Sequence, residues 1–179
     1  TGGILILTLF YSTRVAGFYE IARIVATPAF MISSVIGTGV LTKVSSRGPD
    51  SVAVIEDIQN SLAFSSIVSL PLFFGTLALS REVVVTVYGS EYAAAAPFLV
   101  LMTAFYVLWT QVDVLGQAIN GLDRPNIAVC ILAVASVVAI MVMAVCIQFV
   151  GPLAVIVALI AGEVVRYVGS VAYIRQEFP

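Results

Sequence analysis

Ionisable side chains are rare in this sequence, and the few that interrupt its apolar runs are the candidates for chemistry. Only 10% of the 179 residues are charged, 61% are hydrophobic and none is histidine. Imidazole catalysis and histidine-ligated metal sites are therefore excluded within the chain. Phosphate-binding loops, zinc motifs and basic runs suited to nucleic acid are also absent from the sequence. We predict no catalytic residue, no cofactor, no metal and no nucleic-acid partner.

A first polar stripe lies on the helix that we predict at residues 16 to 42. Its members are spaced by three, four and seven residues, which places them on one helix face. One interpretation is an ion pair between Glu20 and Arg23 that only orients the helix. The other is a cationic cavity wall for an anionic substrate, because the planar guanidinium matches phosphate oxygens. The stripe consists of Glu20, Arg23, Thr27 and Ser34.

A second polar stripe lies on the helix predicted at residues 93 to 120. Its carboxylate, Asp113, is about 10 Å from the end of that helix at the usual rise of 1.5 Å per residue. A carboxylate at this depth needs a partner, so it either binds a coupling ion or hydrogen-bonds a neighbouring helix. The stripe consists of Thr110, Asp113, Gln117 and Asn120.

A further charged pair lies near the middle of the last predicted helix. Glu163 and Arg166 are three residues apart and therefore face each other. Internal pairing lowers the cost of burying either charge in a membrane. The pair is either a neutralised structural element or, together with Asp113, part of an ion-coupling site.

The elements that must position these residues follow from the uncharged runs. Four runs, at residues 24–42, 58–80, 92–112 and 125–162, each have roughly the 20 residues that a helix needs to cross a bilayer. The last run is about twice that length and contains Gly151–Pro152, which predicts a tight turn between two spans. The sequence therefore predicts an all-α, polytopic transmembrane helix bundle. The predicted full spans are 16–42, 60–80, 93–120, 126–149 and 152–174.

Three connecting segments carry their own predictions. We expect residues 1–13 to be the end of a truncated helix. The loop at residues 43–59 predicts a short amphipathic helix at the membrane interface. The segment after Arg81 is too short to span, so we predict a partly inserted turn that ends at Gly89, with Ser90 capping the next helix.

Basic residues set the predicted orientation. Four of them fall on one side of the membrane, whereas Arg14 and Arg81 fall on the other. The positive-inside rule makes the first side cytoplasmic, together with the C-terminus. Residues on the predicted cytoplasmic side are Lys43, Arg47, Arg124 and Arg175.

Three short motifs point to a family. They are YGSEYAAAA (residues 88–96), VAGFYEIA (15–22) and NGLDRP (120–125). In their order and sidedness the chain resembles the C-terminal half of the prokaryotic polysaccharide-biosynthesis flippases. These form the oligosaccharide branch of the multidrug/oligosaccharidyl-lipid/polysaccharide exporter superfamily.

The resemblance implies a transporter of two six-helix lobes that moves lipid-linked oligosaccharide by alternating access. Residues 1–179 would form a single transmembrane lobe, with the N-terminal lobe of the same chain missing. The implied partners are that lobe, membrane lipid and the lipid-linked oligosaccharide, in the plasma membrane of a prokaryote. The first two helices of such a lobe line the cavity, which implies cavity positions for Arg14, Glu20 and Arg23.

Three alternatives stay open at this point. A cation-coupled multidrug efflux transporter would share the fold and would use acidic cavity residues, for which Asp113 and Glu163 are available. A flippase for lipid-linked peptidoglycan precursors would differ only in the headgroup that it carries. A membrane enzyme acting on polyprenyl phosphates would need clustered aspartates or a histidine, which this chain lacks. We therefore predict a transporter and not an enzyme.

Overall fold

The described part of the chain contains five long α-helices. The computed structural model describes residues 3–4, 7–8, 11–47 and 52–177, apart from the side chains at 29–38, 47 and 52. No strand occurs within these ranges, which confirms the all-α fold class. The helices are α1 (Thr13–Arg47), α2 (Val52–Tyr88), α3 (Ala96–Gly121), α4 (Pro125–Val150) and α5 (Ala154–Glu177).

Three helical segments of the described chain are long and apolar enough to cross a membrane. The third contains both α4 and α5, because a 3₁₀ turn at Gly151–Leu153 separates them where the sequence predicts a turn. Gly151 adopts a positive φ of 57°, a conformation that is unstrained without a Cβ. The chain is thus a multi-pass helical membrane protein. The segments are Ala53–Tyr88, Ser90–Gly121 and Pro125–Glu177.

Helix α2 is much longer than its predicted span. Its 37 residues extend about 55 Å, whereas the hydrocarbon core of a bilayer is about 30 Å thick. It continues through Pro71 and past Arg81 to Tyr88, so the predicted inserted turn after Arg81 is wrong. It also includes residues 52–59, so the predicted separate interfacial helix in the loop 43–59 is the first part of α2.

Gly89 ends α2 with a φ of 99°. A 3₁₀ helix at Ser90–Ala95 follows, and its N-cap position is Gly89. The predicted Ser90 cap is therefore wrong, and no side chain makes a capping hydrogen bond there. The backbone N–H of Tyr92 instead bonds the carbonyl of Gly89 at 3.1 Å, which tightens the entry into α3.

Helix α3 is the centre of the bundle. In its most apolar window 39% of the residues are buried, against 11% in α2 and 6% in the α4–α5 segment. It packs against α1, α2 and α5, whereas α4 packs mainly on α5. Consequently α4 and α2 have broad exposed apolar faces, which include Phe64, Ile67, Phe74, Val137, Met141 and Phe149.

The buried side chains form two clusters, one near each end of the bundle. One cluster joins the start of α1 to the end of α2 and the start of α3, and we call this end the Arg14 end. The other joins the end of α1 to the start of α2 and the ends of α3 and α5, and we call it the Lys43 end. The Lys43–Asp57 ion pair, at 3.2 Å, links α1 to α2 there.

Two backbone features occur at the Lys43 end. Gly121 lies against α1 so closely that an added Cβ would be 2.9 Å from the Val44 side chain. After α3 the backbone turns at Asp123, whose φ is 58°. The N–H of Arg124 bonds the carbonyl of Ile119 at 3.3 Å, and that of Asp123 bonds the carbonyl of Asn120 at 3.1 Å. This is a Schellman motif with aspartate where glycine is usual.

Candidate functional site

A cavity of about 470 Å³ lies between α1, α3, α4 and α5. This volume falls within the range of about 300 to 1,000 Å³ that is usual for ligand pockets. Three of its lining side chains are polar, namely Tyr19 and Arg23 of α1 and Tyr106 of α3. The others are apolar: Met102, Phe105, Ala139, Ile140, Met143, Val155, Ala158 and Leu159.

The polar face of α1 is built by an i, i+3 ion pair. The Nε of Arg23 donates to Glu20 Oε2 at 3.0 Å, and its Nη2 donates to the other carboxylate oxygen. The Thr27 hydroxyl, also predicted for this face, donates to the backbone carbonyl of Arg23 at 2.7 Å. The pair is only partly buried, with side-chain exposures of 32% for Glu20 and 41% for Arg23. Ser34, the fourth member of the predicted stripe, has its side chain outside the described residues.

Arg14 occupies a different part of α1. It precedes Arg23 by nine residues, about two and a half turns, so the two guanidinium groups lie on opposite faces. The structure places Arg14 over the ring of Phe18, 5.7 Å from the centroid, in a cation–π contact. Phe18 in turn packs on Tyr92 and Phe98. Glu20 and Arg23 are therefore paired with each other. Of the three predicted residues, Arg23 lines this cavity, and Glu20 and Arg14 are not among its lining residues.

The second stripe and Arg166 of the last-helix pair line a smaller groove of about 230 Å³ between α3, α4 and α5. Asp113, Gln117 and Asn120 line it from α3, and Arg166 reaches it from α5. Thr110, the remaining member of the stripe, bonds the carbonyl of Val107 in its own helix at 2.7 Å. The sequence did not predict that Arg166 faces Asp113, because this contact depends on how α3 packs on α5.

The Asp113 carboxylate and the Arg166 guanidinium line the groove, and the guanidinium is also paired with Glu163. Arg166 Nη1 donates to both carboxylate oxygens of Glu163, at 2.9 and 3.0 Å. Asp113 interacts electrostatically with the same guanidinium and hydrogen-bonds Gln117 on its own helix. The Glu163 side chain is only 10% exposed and that of Arg166 24%, so this pair is more deeply buried than Glu20–Arg23.

A hydrogen bond between α2 and α3 is made by Gln111. Its amide nitrogen lies 3.2 Å from the Ser66 hydroxyl and 3.4 Å from that of Ser65. Asp113 lines the groove together with Arg166 of α5, and the two charges are close enough to interact electrostatically. This arrangement favours the helix-contact interpretation of Asp113 over a free ion-binding carboxylate.

Two cavity residues were missed by the sequence reasoning. Tyr19 precedes Arg23 by four residues, so helical spacing alone places it on the same face. Tyr106 belongs to α3, and nothing in the sequence indicates that it approaches α1. Both tyrosines line the same cavity as Arg23.

Comparison with known proteins adds two findings. A family model described as "Polysaccharide biosynthesis protein" matches residues 2–97, just over half of the chain. The chain is also similar to the "Probable low-salt glycan biosynthesis flippase Agl15" of Haloferax volcanii, with 26% identity over 125 residues. These residues cover 69% of this chain but only 26% of the relative, so the match spans about a quarter of that protein. No solved structure matches the chain significantly.

Proposed function

Because the chain belongs to the polysaccharide biosynthesis protein family, we propose that it forms one lobe of a flippase that moves lipid-linked oligosaccharide across the membrane by alternating access. The printed name of the Haloferax volcanii relative supports flippase activity. The second lobe would come from the rest of the protein. The proposal assigns binding and reorientation of a substrate to this site and includes no enzymatic step.

The observation that carries this proposal is the partly exposed Glu20–Arg23 pair at the cavity. Charged groups at membrane depth normally face a protein interior or a water-filled cavity and not lipid. Here the polar face of α1 includes an ion pair that is about one-third exposed, and the adjacent Ile24 is 51% exposed. We therefore expect this face to border a central aqueous cavity in the whole protein, with the second lobe on the other side of that cavity.

The groove at Asp113 and Arg166 gives less support to the alternative function, a cation-coupled drug exporter. A cation-coupled drug exporter would need carboxylates that are free to receive a cation. Asp113 and Glu163 both face Arg166, which already supplies a positive charge to them. Arg23 at the cavity is paired with Glu20, and its guanidinium suits a substrate with acceptor oxygens.

The test uses the intact protein in its own host. We expect Arg23→Ala to lower export of lipid-linked oligosaccharide by about tenfold while protein abundance stays normal, because a charge-assisted contact is lost. Arg81→Ala is the matched control, since Arg81 is exposed near the Arg14 end of the bundle and does not line the cavity. Lipid-linked oligosaccharide is quantified on both membrane faces, together with sensitivity to cationic dyes.

The outcomes separate the two transporter classes. Accumulation of glycolipid on the cytoplasmic face with unchanged dye tolerance supports the flippase proposal. Normal glycolipid distribution in Arg23→Ala removes Arg23 from the site. Increased dye sensitivity with normal glycolipid export refutes the flippase proposal in favour of a drug exporter.

We also propose that the Lys43 end faces the cytoplasm of a prokaryotic plasma membrane and that α5 ends on that side. Lys43, Arg124 and Arg175 lie at this end, which is the distribution that the positive-inside rule requires. Exposed serines at the two ends allow a direct test in a protein whose native cysteines are replaced. An impermeant thiol reagent applied outside intact cells should label Ser12→Cys and not Ser45→Cys, and the reverse pattern would invert the orientation.

A further inference from the structure

Three hollow spaces lie along one seam of the bundle, between helices α4 and α5 on one side and α1, α2 and α3 on the other. They are the 470 Å³ cavity, the 230 Å³ groove, and a second groove of about 310 Å³ between α2, α3 and α5 at the Lys43 end. We propose that α4 and α5 form a hairpin that pivots about its Arg14 end, and that Arg166 latches the Lys43 end of this hairpin by bridging Glu163 to Asp113. The movement takes place within one lobe, so it is separate from any movement between two lobes.

The two helices of the hairpin pack closely on each other. A Cβ added to Gly162 would be 3.3 Å from the Cβ of Ala139, and one added to Gly169 would be 3.1 Å from the Ile131 side chain. Ala135 is the one buried residue of α4, all of which is described, and its carbonyl lies at the Gly162 contact. Since α4 packs mainly on α5, we expect the two helices to move as one body.

Burial along α5 is uneven, which places the pivot. Six of the seven buried residues of this fully described helix lie in its first ten positions. Val155 and Ile156 belong to the buried cluster at the Arg14 end. Val171 and Ile174, in contrast, are only partly buried against the cluster at the Lys43 end. The Arg14 end of α5 is therefore the fixed point about which the hairpin can turn.

The other half of α5 has space on two sides. The 230 Å³ groove lies on the side of Asp113, and the 310 Å³ groove lies on the side of Leu115 and Tyr167. Asp113 and Leu115 are two residues apart, which places them about 160° apart around α3 at about 100° per residue. Movement of α5 towards Asp113 would therefore close the first groove and widen the second.

The hydrogen bonds of Arg166 suit it to hold two positions. Its Nη1 donates to both carboxylate oxygens of Glu163, whereas Nε and Nη2 make no hydrogen bond to the described residues. In the other Glu–Arg pair, Glu20 engages both Nε and Nη2 of Arg23. Asp113 lines the groove with Arg166, and within the described part of the chain no ion pair joins them.

Closure of the groove would complete this arrangement. Nε and Nη2 of Arg166 could then bind Asp113 while Nη1 stays on Glu163, and such charge-assisted bonds are strong. The gain from pairing Asp113 is opposed by the loss of solvent from the carboxylate. These two terms of opposite sign allow an open and a closed position of the hairpin.

The experiment measures distances between spin labels in the intact protein, with its native cysteines replaced, in phosphatidylcholine nanodiscs. One label pair, Asn60→Cys on α2 and Gln176→Cys on α5, uses exposed positions near the Lys43 end. The other pair, Thr86→Cys on α2 and Gln148→Cys on α4, uses exposed positions near the Arg14 end. We expect two distances at the Lys43 end and one at the Arg14 end.

The position of the first label pair makes the movement easier to detect. Along α5, Arg166 is about 15 Å from Ile156 and Gln176 is about 30 Å from it, so a displacement at Arg166 is doubled at Gln176. The longer of the two distances belongs to the closed position, because α5 then moves away from α2.

Variants of Asp113 test the latch. Asp113→Asn removes the second carboxylate and leaves the Glu163–Arg166 pair intact. We expect it to lower the closed population by about tenfold, the order expected when a hydrogen bond to a charged group is lost. Asp113→Glu extends the carboxylate into the groove and should raise that population. Asp123→Asn is the matched control, because Asp123 is exposed at the same end and does not line the groove.

Three outcomes would overturn the inference. A single distance at the Lys43 end of the parent protein would mean that the hairpin does not move. Equal populations in Asp113→Asn and Asp123→Asn would mean that Arg166 is not the latch. Two distances at the Arg14 end as well would mean that there is no pivot there. Both labels of each pair lie in the same lobe, so these results do not depend on whether the protein exports a glycolipid.

Discussion

Two i, i+3 Glu–Arg pairs have the same sequence spacing but should have very different effects on stability. Glu163 and Arg166 are deeply buried, with side-chain exposures of 10% and 24%. Glu20 and Arg23 are more open, at 32% and 41%. We predict that Arg166→Gln destabilises the protein strongly, whereas Arg23→Gln changes its stability little.

The magnitudes follow from burial. Removing one partner of a buried ion pair typically costs about 3 to 5 kcal/mol, because the remaining charge is left without compensation. After Arg166→Gln the Glu163 carboxylate would have no cation, and Asp113 would add a second negative charge nearby. Exposed pairs contribute about 0 to 1 kcal/mol, which is the expected cost of Arg23→Gln. Adding Glu163→Gln to Arg166→Gln should restore most of the lost stability, since no buried charge of the pair then remains.

The assay is reversible unfolding of the intact protein by denaturant titration in mixed micelles. The parent, both single variants and the double variant are compared in the same micelles, so that the free energies of unfolding are on one scale. A loss of less than about 1 kcal/mol for Arg166→Gln, or equal losses for Arg166→Gln and Arg23→Gln, would refute the argument from burial.

Further predictions concern backbone geometry and coupling. Gly121→Ala should lower the free energy of unfolding by about 1 to 3 kcal/mol, because the added Cβ would clash with Val44. Gly116→Ala is the control, since a Cβ there meets nothing within 4 Å. Equal effects of the two substitutions in the same titration would contradict the close helix contact. Asp123 has a positive φ, so Asp123→Gly should be neutral or stabilising. Asp123→Val should destabilise the protein by about 1 kcal/mol, and a stabilising effect of valine would refute this account. Asp113→Asn should leave any ion dependence of transport unchanged, and a lost dependence, measured by flux at varied ion concentrations, would make Asp113 a coupling residue.

The fold class could be predicted from the sequence because the thickness of a bilayer sets the length of uncharged sequence that a spanning helix needs. Uncharged runs of sufficient length predict membrane helices, and Gly151–Pro152 marks the turn between α4 and α5. The ends of the helices were less predictable, since a charge such as Arg81 marks where apolar sequence stops and not where helical hydrogen bonding stops. Helix α2 therefore extends well beyond the predicted span 60–80.

The site was only partly predictable because a helix face can be read from spacing but a packed neighbour cannot. Spacing within α1 places Glu20 beside Arg23, and the same arithmetic places Arg14 on the opposite face. The resemblance to a family placed all three at a cavity between two lobes, and that placement stays a prediction. Of the three, Arg23 lines the cavity described within this lobe. The approach of Tyr106 to Arg23 depends on how α3 crosses α1, which no pattern in the sequence indicates.

The close packing of α4 on α5 has a consequence for how the protein is made. Gly162 lies against Ala135 and Ala139, and Gly169 lies against Ile131, so the two backbones approach each other closely over several turns. The turn that joins the helices is only three residues long. We therefore expect α4 and α5 to enter the membrane as one helical hairpin, which would dock onto the other helices through α5.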